Sequence, residues 1–265
     1  MTSNPIILIT GANTGIGFET IKALLGSPNT YTILLGGRSF QKAQDAVQVA
    51  KEQFPNSQSI LSAIQVDIED DASILKAFDE ASAKHGRVDV LINNAGAQFD
   101  FEVQSRRIGM REAWNKSWNV NTTGTQIMTH TFVPLLLKSS DPRLLFVTSG
   151  TSSLAETESG ELWLNKVPPK GWPKQATAFP AYRSSKTGMN MMMREWARVL
   201  TEDGVKVWCI SPGFLATGLG AGQESNKQMG AGDPAIGGNF IKDVVEGKRD
   251  QDVGKIIRSG STQPW

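Results

Sequence analysis

The 265-residue chain holds one cysteine, Cys209, and only two histidines, His85 and His130. A single cysteine excludes an intramolecular disulfide and any cysteine-based zinc site. The two histidines lie far apart in sequence and show no ligand spacing, so no metal is expected. Neither charge is in surplus: 27 Lys and Arg stand against 26 Asp and Glu. That balance leaves no basic footprint for nucleic acid and no polybasic patch for a membrane surface. Long apolar runs are absent as well. The first, at 5–9, is too short for a bilayer span, and no basic segment precedes it as in a signal peptide. The expectation is a cytoplasmic protein. Cys209 lies in the run Val205-Lys206-Val207-Trp208-Cys209-Ile210 and reads as a small core residue.

What is present is an alternation. Short apolar runs at 5–10, 31–36, 60–67, 88–93, 143–148 and 205–211 are spaced by helical patterns at 15–26, 40–54, 71–85, 111–138 and 181–202. Runs such as Leu144-Leu145-Phe146-Val147 show no polar alternation, which suggests strands buried on both faces. The order predicts a Rossmann-type, doubly wound α/β fold in one domain over 1–265: a mainly parallel sheet flanked by helices. Two stretches break the rhythm, 150–179 with Trp163 and Trp172, and the glycine-rich 213–238. Loops of that length are usually binding loops or lids.

The first run leads into Thr10-Gly11-Ala12-Asn13-Thr14-Gly15-Ile16-Gly17, and a helical pattern follows. Glycines between a strand and a helix bring backbone amides and a helix N-terminus against a pyrophosphate. Thr10, Gly11, Asn13, Thr14, Gly15, Ile16 and Gly17 are therefore candidate dinucleotide ligands. The second run ends in Gly36-Gly37-Arg38-Ser39, where an acidic residue would hold the ribose hydroxyl of NAD. Gly37 leaves room instead, and Arg38 offers a guanidinium suited to a 2′-phosphate. NADP(H) is the expected cofactor. Asp67 and Ile68 close the third run. Asp67 suits an adenine amino group, the N-cap of the next helix, or both.

Four motifs in this order, Thr10 to Gly17, Asn93-Asn94-Ala95-Gly96, Tyr182-Arg183-Ser184-Ser185-Lys186 and Pro212-Gly213, resemble the short-chain dehydrogenase/reductase family over essentially the whole chain. The resemblance implies a seven-stranded doubly wound sheet, a dinucleotide and no metal. It places the catalytic tyrosine and lysine on Tyr182 and Lys186, the serine on Ser149 and the asparagine on Asn121. Ser152 and Ser153 are rivals for the serine, and Asn119 for the asparagine. It assigns Asn94, Ala95 and Gly96 to the adenosine side of the cofactor, and Pro212, Gly213 and Thr217 to the nicotinamide side.

The chemistry suits these residue types. When a carbonyl accepts a hydride, its oxygen must gain a proton, and Tyr182 is the donor candidate. Lys186, one turn on, shares its helix face and is expected to lower the phenol pKa from about 10. It would also hold the nicotinamide ribose. Ser149 would hydrogen-bond the substrate oxygen, and Asn121 would hold a water behind Lys186. The departure from the family pattern lies between Ser149 and Tyr182, which stand 33 positions apart. The excess resembles the insertion of monomeric carbonyl reductases, which leaves monomer and homo-oligomer both open. Leu162, Trp163, Leu164 and Trp172 there form either an apolar wall or lid, or an excursion packing its own tryptophans. The leading reading is an NADPH-dependent reductase of a bulky, apolar ketone or aldehyde. The alternatives are an alcohol dehydrogenase working in the oxidative direction and a non-redox protein of the same fold.

Overall fold

The computed structural model describes residues 4–160, 162–174 and 178–265. The chain runs β1 (Ile6–Ile9), α1 (Gly15–Leu25), β2 (Thr32–Gly37), α2 (Phe40–Gln53), β3 (Ile60–Gln65), α3 (Asp71–His85) and β4 (Val90–Asn93). It continues through α4 (Asp100–Gln104), α5 (Met110–Trp118), α6 (Thr125–Leu136), β5 (Arg143–Val147), α7 (Leu154–Ser159), α8 (Pro180–Val199) and β6 (Lys206–Ile210). It ends with α9 (Gln223–Gln228), α10 (Pro234–Val245), β7 (Ile256–Arg258) and β8 (Ser261–Gln263).

The strands lie in the order β3-β2-β1-β4-β5-β6-β7-β8. The first seven are parallel and β8 folds back antiparallel on β7. The sheet is doubly wound and mainly parallel as expected. It carries eight strands rather than seven because a tight hairpin pairs Arg258 with Ser261 and adds a short edge strand. The winding reverses between β1 and β4. Their carboxyl ends open the crevice where such sheets hold ligands.

Both faces of the sheet are covered, which is why its strands lack polar alternation. Leu8, Leu34, Leu91 and Leu144 face α3, α6 and α8. Ile7, Ile9, Ile33, Leu35 and Ile92 face α1, α2 and α10. Each such side chain, wholly removed from water, contributes about 1.5–3 kcal/mol before chain entropy is counted.

The single helix expected over 111–138 is interrupted. A π-helical turn, Asn119–Gly124, separates α5 from α6. Gly124 presses its Cα against the Ile68 carbonyl with no room for a Cβ. This widened turn is the seat of Asn121, and wide turns of this kind gather at functional sites. The stretch 213–238 is also less irregular than expected. It contains α9 and the start of α10, where Pro234 occupies the first turn and the Asp233 carboxylate accepts from the Ala235 amide.

Candidate active site

The glycine turn after β1 has the geometry its composition implies. Gly11 and Gly15 adopt φ of +61° and +58°, the left-handed region that favours glycine. A Cβ built on Gly11 would stand 2.9 Å from the Ala95 Cα, and one on Gly17 2.8 Å from the Ala12 Cα. The turn is tied to the end of β4. The Thr10 hydroxyl accepts from the Asn94 and Ala95 amides, each at 3.1 Å. Asn94 Nδ2 donates to the carbonyls of Thr10 and Gly11 at 2.9 and 3.0 Å. Thr14 caps α1 without a side-chain hydrogen bond, so no side chain of its own blocks the positive end of that helix.

The other expected cofactor residues gather round this turn. Asn13 Oδ1 lies 3.4 Å from where a Gly37 Cβ would be. That brings the turn to the end of β2 and to the exposed Arg38, whose guanidinium has no ion-pair partner among the described residues. From the far side, Thr217 packs 3.6 Å from the Gly15 Cβ position, and both Pro212 and Ile16 border Gly237. Gly213, at φ +101°, is exposed beside them. The segments after β1, β2, β4 and β6 thus meet at one crevice. Two assignments change in detail. Asp67 is not the helix cap: its carboxylate accepts from the Glu69 amide, and Asp70 caps α3. The Ile68 side chain belongs to the core, which leaves only its backbone to face a ligand.

The catalytic candidates also converge. Tyr182 is half-buried in the first turn of α8, and Ser149 is the polar side chain that acts on its phenol. Ser149 Oγ lies 3.0 Å from Thr151 Oγ1 and accepts from the Thr151 amide. The rival serines are committed elsewhere. Ser152 Oγ donates to the Ser149 carbonyl at 2.6 Å, and Ser153 caps α7. Lys186 is only 3% exposed. Its Nζ donates to the Val147 carbonyl at 2.8 Å and stands 5.9 Å from the Tyr182 ring centroid.

The electrostatics differ from the expectation. Burial pushes the Tyr182 phenol up to about 12, against the smaller opposing pull of the Ser149 side chain. Burial also brings Lys186 down to about 8. Desolvation disfavours both charged forms and is the largest cause of each shift.

Asn121 is fully buried and acts as a clamp. Its Nδ2 donates to the Ala97 carbonyl (2.8 Å) and to Ser185 Oγ (2.9 Å), while its Oδ1 accepts from the Ala97 amide (2.9 Å). Both amide protons are spent on protein, so Asn121 has none left to hold the expected water. Only the second lone pair of Oδ1 remains. That oxygen and Lys186 Nζ both border Gly96, at 3.1 and 3.3 Å from its Cβ position. The rival Asn119 donates instead to Glu69 at the surface.

The model of the short chain dehydrogenase family matches residues 5–159 and 173–228. The chain belongs to the short-chain dehydrogenase family. Among curated relatives, the short-chain dehydrogenase/reductase eupG of a Phoma species is 49% identical over 98% of this chain and 97% of its own. The short-chain dehydrogenase/reductase tropE of Talaromyces stipitatus is 46% identical over 100% and 99%. Among solved structures, NADPH-bound carbonyl reductase from chicken fatty liver superposes with a TM-score of 0.78 at 22% identity, covering 99% of both chains.

In this short-chain dehydrogenase the family model skips 160–172, inside the stretch between Ser149 and Tyr182. Arg183 ties that stretch to the catalytic helix. Its guanidinium donates to the Thr151 carbonyl (2.9 Å), Thr157 Oγ1 (2.8 Å) and Asn165 Oδ1 (2.7 Å). Trp163 and Trp172 are 61% and 87% exposed, so the insertion does not pack its own tryptophans away. Three residues that sequence reasoning passed over touch the site: Arg183, Gln263, whose Nε2 donates to the Ser149 carbonyl at 3.2 Å, and Asp100. Among the described residues no group of three or more His, Cys, Asp or Glu could hold a metal. No helix there is long and apolar enough to cross a membrane.

Proposed function

We propose that this short-chain dehydrogenase reduces a ketone or aldehyde to an alcohol, reversibly, using NADPH. The observation that carries the reading is the convergence of Ser149, Tyr182 and the buried Lys186, whose Nζ stands 5.9 Å from the Tyr182 ring centroid. The bound cofactor supplies the hydride that the carbonyl carbon accepts. The chain's own residues do the rest. Ser149 donates a hydrogen bond to the substrate oxygen and aims it. Tyr182 gives that oxygen its phenolic proton as negative charge develops there. Lys186 donates to the ribose hydroxyls, and its charge then favours the tyrosinate left behind.

The cradle for the cofactor fits. Positive-φ Gly11 and Gly15 bring backbone close to a pyrophosphate at the unblocked end of α1. Arg38, exposed and without an ion pair among the described residues, suits a 2′-phosphate. The chicken carbonyl reductase of like fold holds NADPH as well. A bulky, apolar substrate agrees with the exposed Leu162, Trp163, Trp172 and Phe214 of the two long connections. The test is consumption of NADPH and NADH by the purified protein with aldehydes, diketones and quinones. Oxidation of NADPH in step with loss of carbonyl is expected; tight NADPH binding with no carbonyl reduced would point to a non-redox role.

A further inference from the structure

α8 begins without a cap of its own. Its N-cap residue is Phe179, which has no polar side chain to offer, and its first residue is Pro180, which has no N–H. The first donors of the helix are therefore the amides of Ala181 and Tyr182. Both are taken by one carboxylate from another element. Asp100, the first residue of α4, accepts from Ala181 N through Oδ1 at 3.0 Å and from Tyr182 N through Oδ2 at 3.1 Å. It is only 6% exposed. A helix that bears a proton donor in its first turn ends there on a full negative charge.

That charge has an electrostatic consequence. The N-terminus of a 20-residue helix carries a positive partial charge that favours an anion nearby, the phenolate of Tyr182 included. A carboxylate on the same amides opposes it. The other charged groups around Tyr182 do not duplicate this role. On α8, Lys186 donates to Val147 and Arg183 is turned to Thr151, Thr157 and Asn165. From β6, burial pushes the Cys209 thiol up and so keeps it uncharged. On α5, Lys116 pairs with Glu112, and beyond the π turn Glu69 holds Asn119.

We propose that Asp100 is a positioning residue for Tyr182: its buried carboxylate seats the N-terminus of α8 and, by opposing the positive end of that helix, keeps the phenol protonated until substrate arrives. The proposal rests on the reading of Tyr182 as proton donor, so its test does not depend on turnover alone. The chain has two tyrosines, Tyr31 and Tyr182. Full-length protein carrying tyrosine isotope-labelled at Cζ gives two resonances, assigned with Tyr31→Phe, and the phenol of Tyr182 is titrated directly with and without NADPH.

Asp100→Asn keeps the shape and an acceptor but not the charge. Its Tyr182 midpoint is expected to fall by about half a unit to one unit, while Asp100→Glu keeps the parent value. The alkaline limb of carbonyl reduction, where the phenol loses its proton, should move to lower pH by the same amount. An unmoved midpoint in folded Asp100→Asn, or an equal shift in Asp100→Glu, would reduce Asp100 to a structural cap. If Asp100→Asn does not fold, Asp100→Ser supplies the neutral acceptor. If the parent reduces no carbonyl, the proton-donor reading fails, while the midpoint still decides whether Asp100 governs the phenol.

Discussion

The Lys186 ammonium donates to the Val147 carbonyl at 2.8 Å, and no carboxylate pairs with it among the described residues. Burial brings its pKa down to about 8 from the ordinary 10.5. Below about pH 8 the folded and unfolded chains both carry this proton, and the folded state bears the whole penalty of the buried charge. Between about 8 and 10.5 the folded chain releases the proton while the unfolded chain keeps it, so stability rises with pH. Lys186→Met abolishes the penalty, which is at most about 3 kcal/mol, and loses one hydrogen bond. Its stability relative to the parent is therefore greatest near neutrality and declines through that window. Thermal melts of both proteins at about pH 7 and about pH 10 check this. A difference independent of pH would show that Lys186 is not desolvated as described.

Ser149 and Tyr182 act on the same substrate oxygen in the proposed reaction, so their losses should overlap. Tyr182→Phe removes the donated proton, and turnover is expected to fall by about 100- to 10,000-fold. Ser149→Ala removes one donor to the oxygen, an expected loss of about 100- to 1,000-fold. The double variant should lose far less than the product of the two. NADPH affinity, measured by fluorescence, should stay near the parent's in all three. Strictly multiplicative losses would mean that the residues serve different steps.

Much of this site was legible because its signals are local. A glycine turn is written in consecutive residues, and the Tyr182–Lys186 spacing is that of one helix face. The cap on α8 was not legible in that way, since Asp100 is 81 positions from Ala181. A clue lay in what the helix start lacks: Phe179-Pro180 carries neither a capping side chain nor an N–H, so a cap had to come from elsewhere. Asp67 and Asp70 show the converse. Two carboxylates stand near one helix start, and only the turn geometry selects Asp70. The π turn escaped because the close approach that accompanies it, Gly124 against the Ile68 carbonyl, joins segments far apart in sequence.

Cofactor choice should follow Arg38. A charge-assisted bond from arginine to phosphate contributes about 1.5–3 kcal/mol. Replacing Arg38 with Asp removes that bond and places a carboxylate where it can accept from a ribose hydroxyl. The ratio of kcat/KM for NADPH over NADH is expected to fall by at least about tenfold, most of it through the KM for NADPH. An unchanged ratio would remove Arg38 from the cofactor site.

Gly124 and Gly86 separate two reasons for keeping a glycine. At Gly86, φ is +72° and a Cβ would meet nothing within 4 Å, so Gly86→Ala bears only backbone strain, about 1–2 kcal/mol. At Gly124 a Cβ would collide with the Ile68 main chain, which cannot yield as a flexible side chain can. Gly124→Ala should therefore destabilise the fold more than Gly86→Ala and, by disturbing the seat of Asn121, also reduce turnover. Denaturant melts beside activity assays would show it. Equal losses of stability would mean that the π turn relaxes to admit the methyl group.

Gln263 holds the Ser149 carbonyl through one 3.2 Å hydrogen bond, and its own Oε1 is buried without a partner. The two effects oppose each other. Removing the side-chain amide loses a long bond to a carbonyl that still accepts from the Ser152 hydroxyl (2.6 Å) and amide (3.2 Å). It also removes an orphaned buried acceptor, whose desolvation costs about 1–3 kcal/mol. The second effect is the larger because Ser149 keeps its partners, so Gln263→Met, of similar length, should leave stability unchanged or raise it by about 1 kcal/mol. Ser149 is then held by one fewer group, and any loss of kcat should exceed any change in NADPH affinity. Chemical denaturation and steady-state kinetics test the two halves separately. Destabilisation beyond about 2 kcal/mol would show that the Gln263–Ser149 bond, rather than the buried orphan, governs this corner of the site.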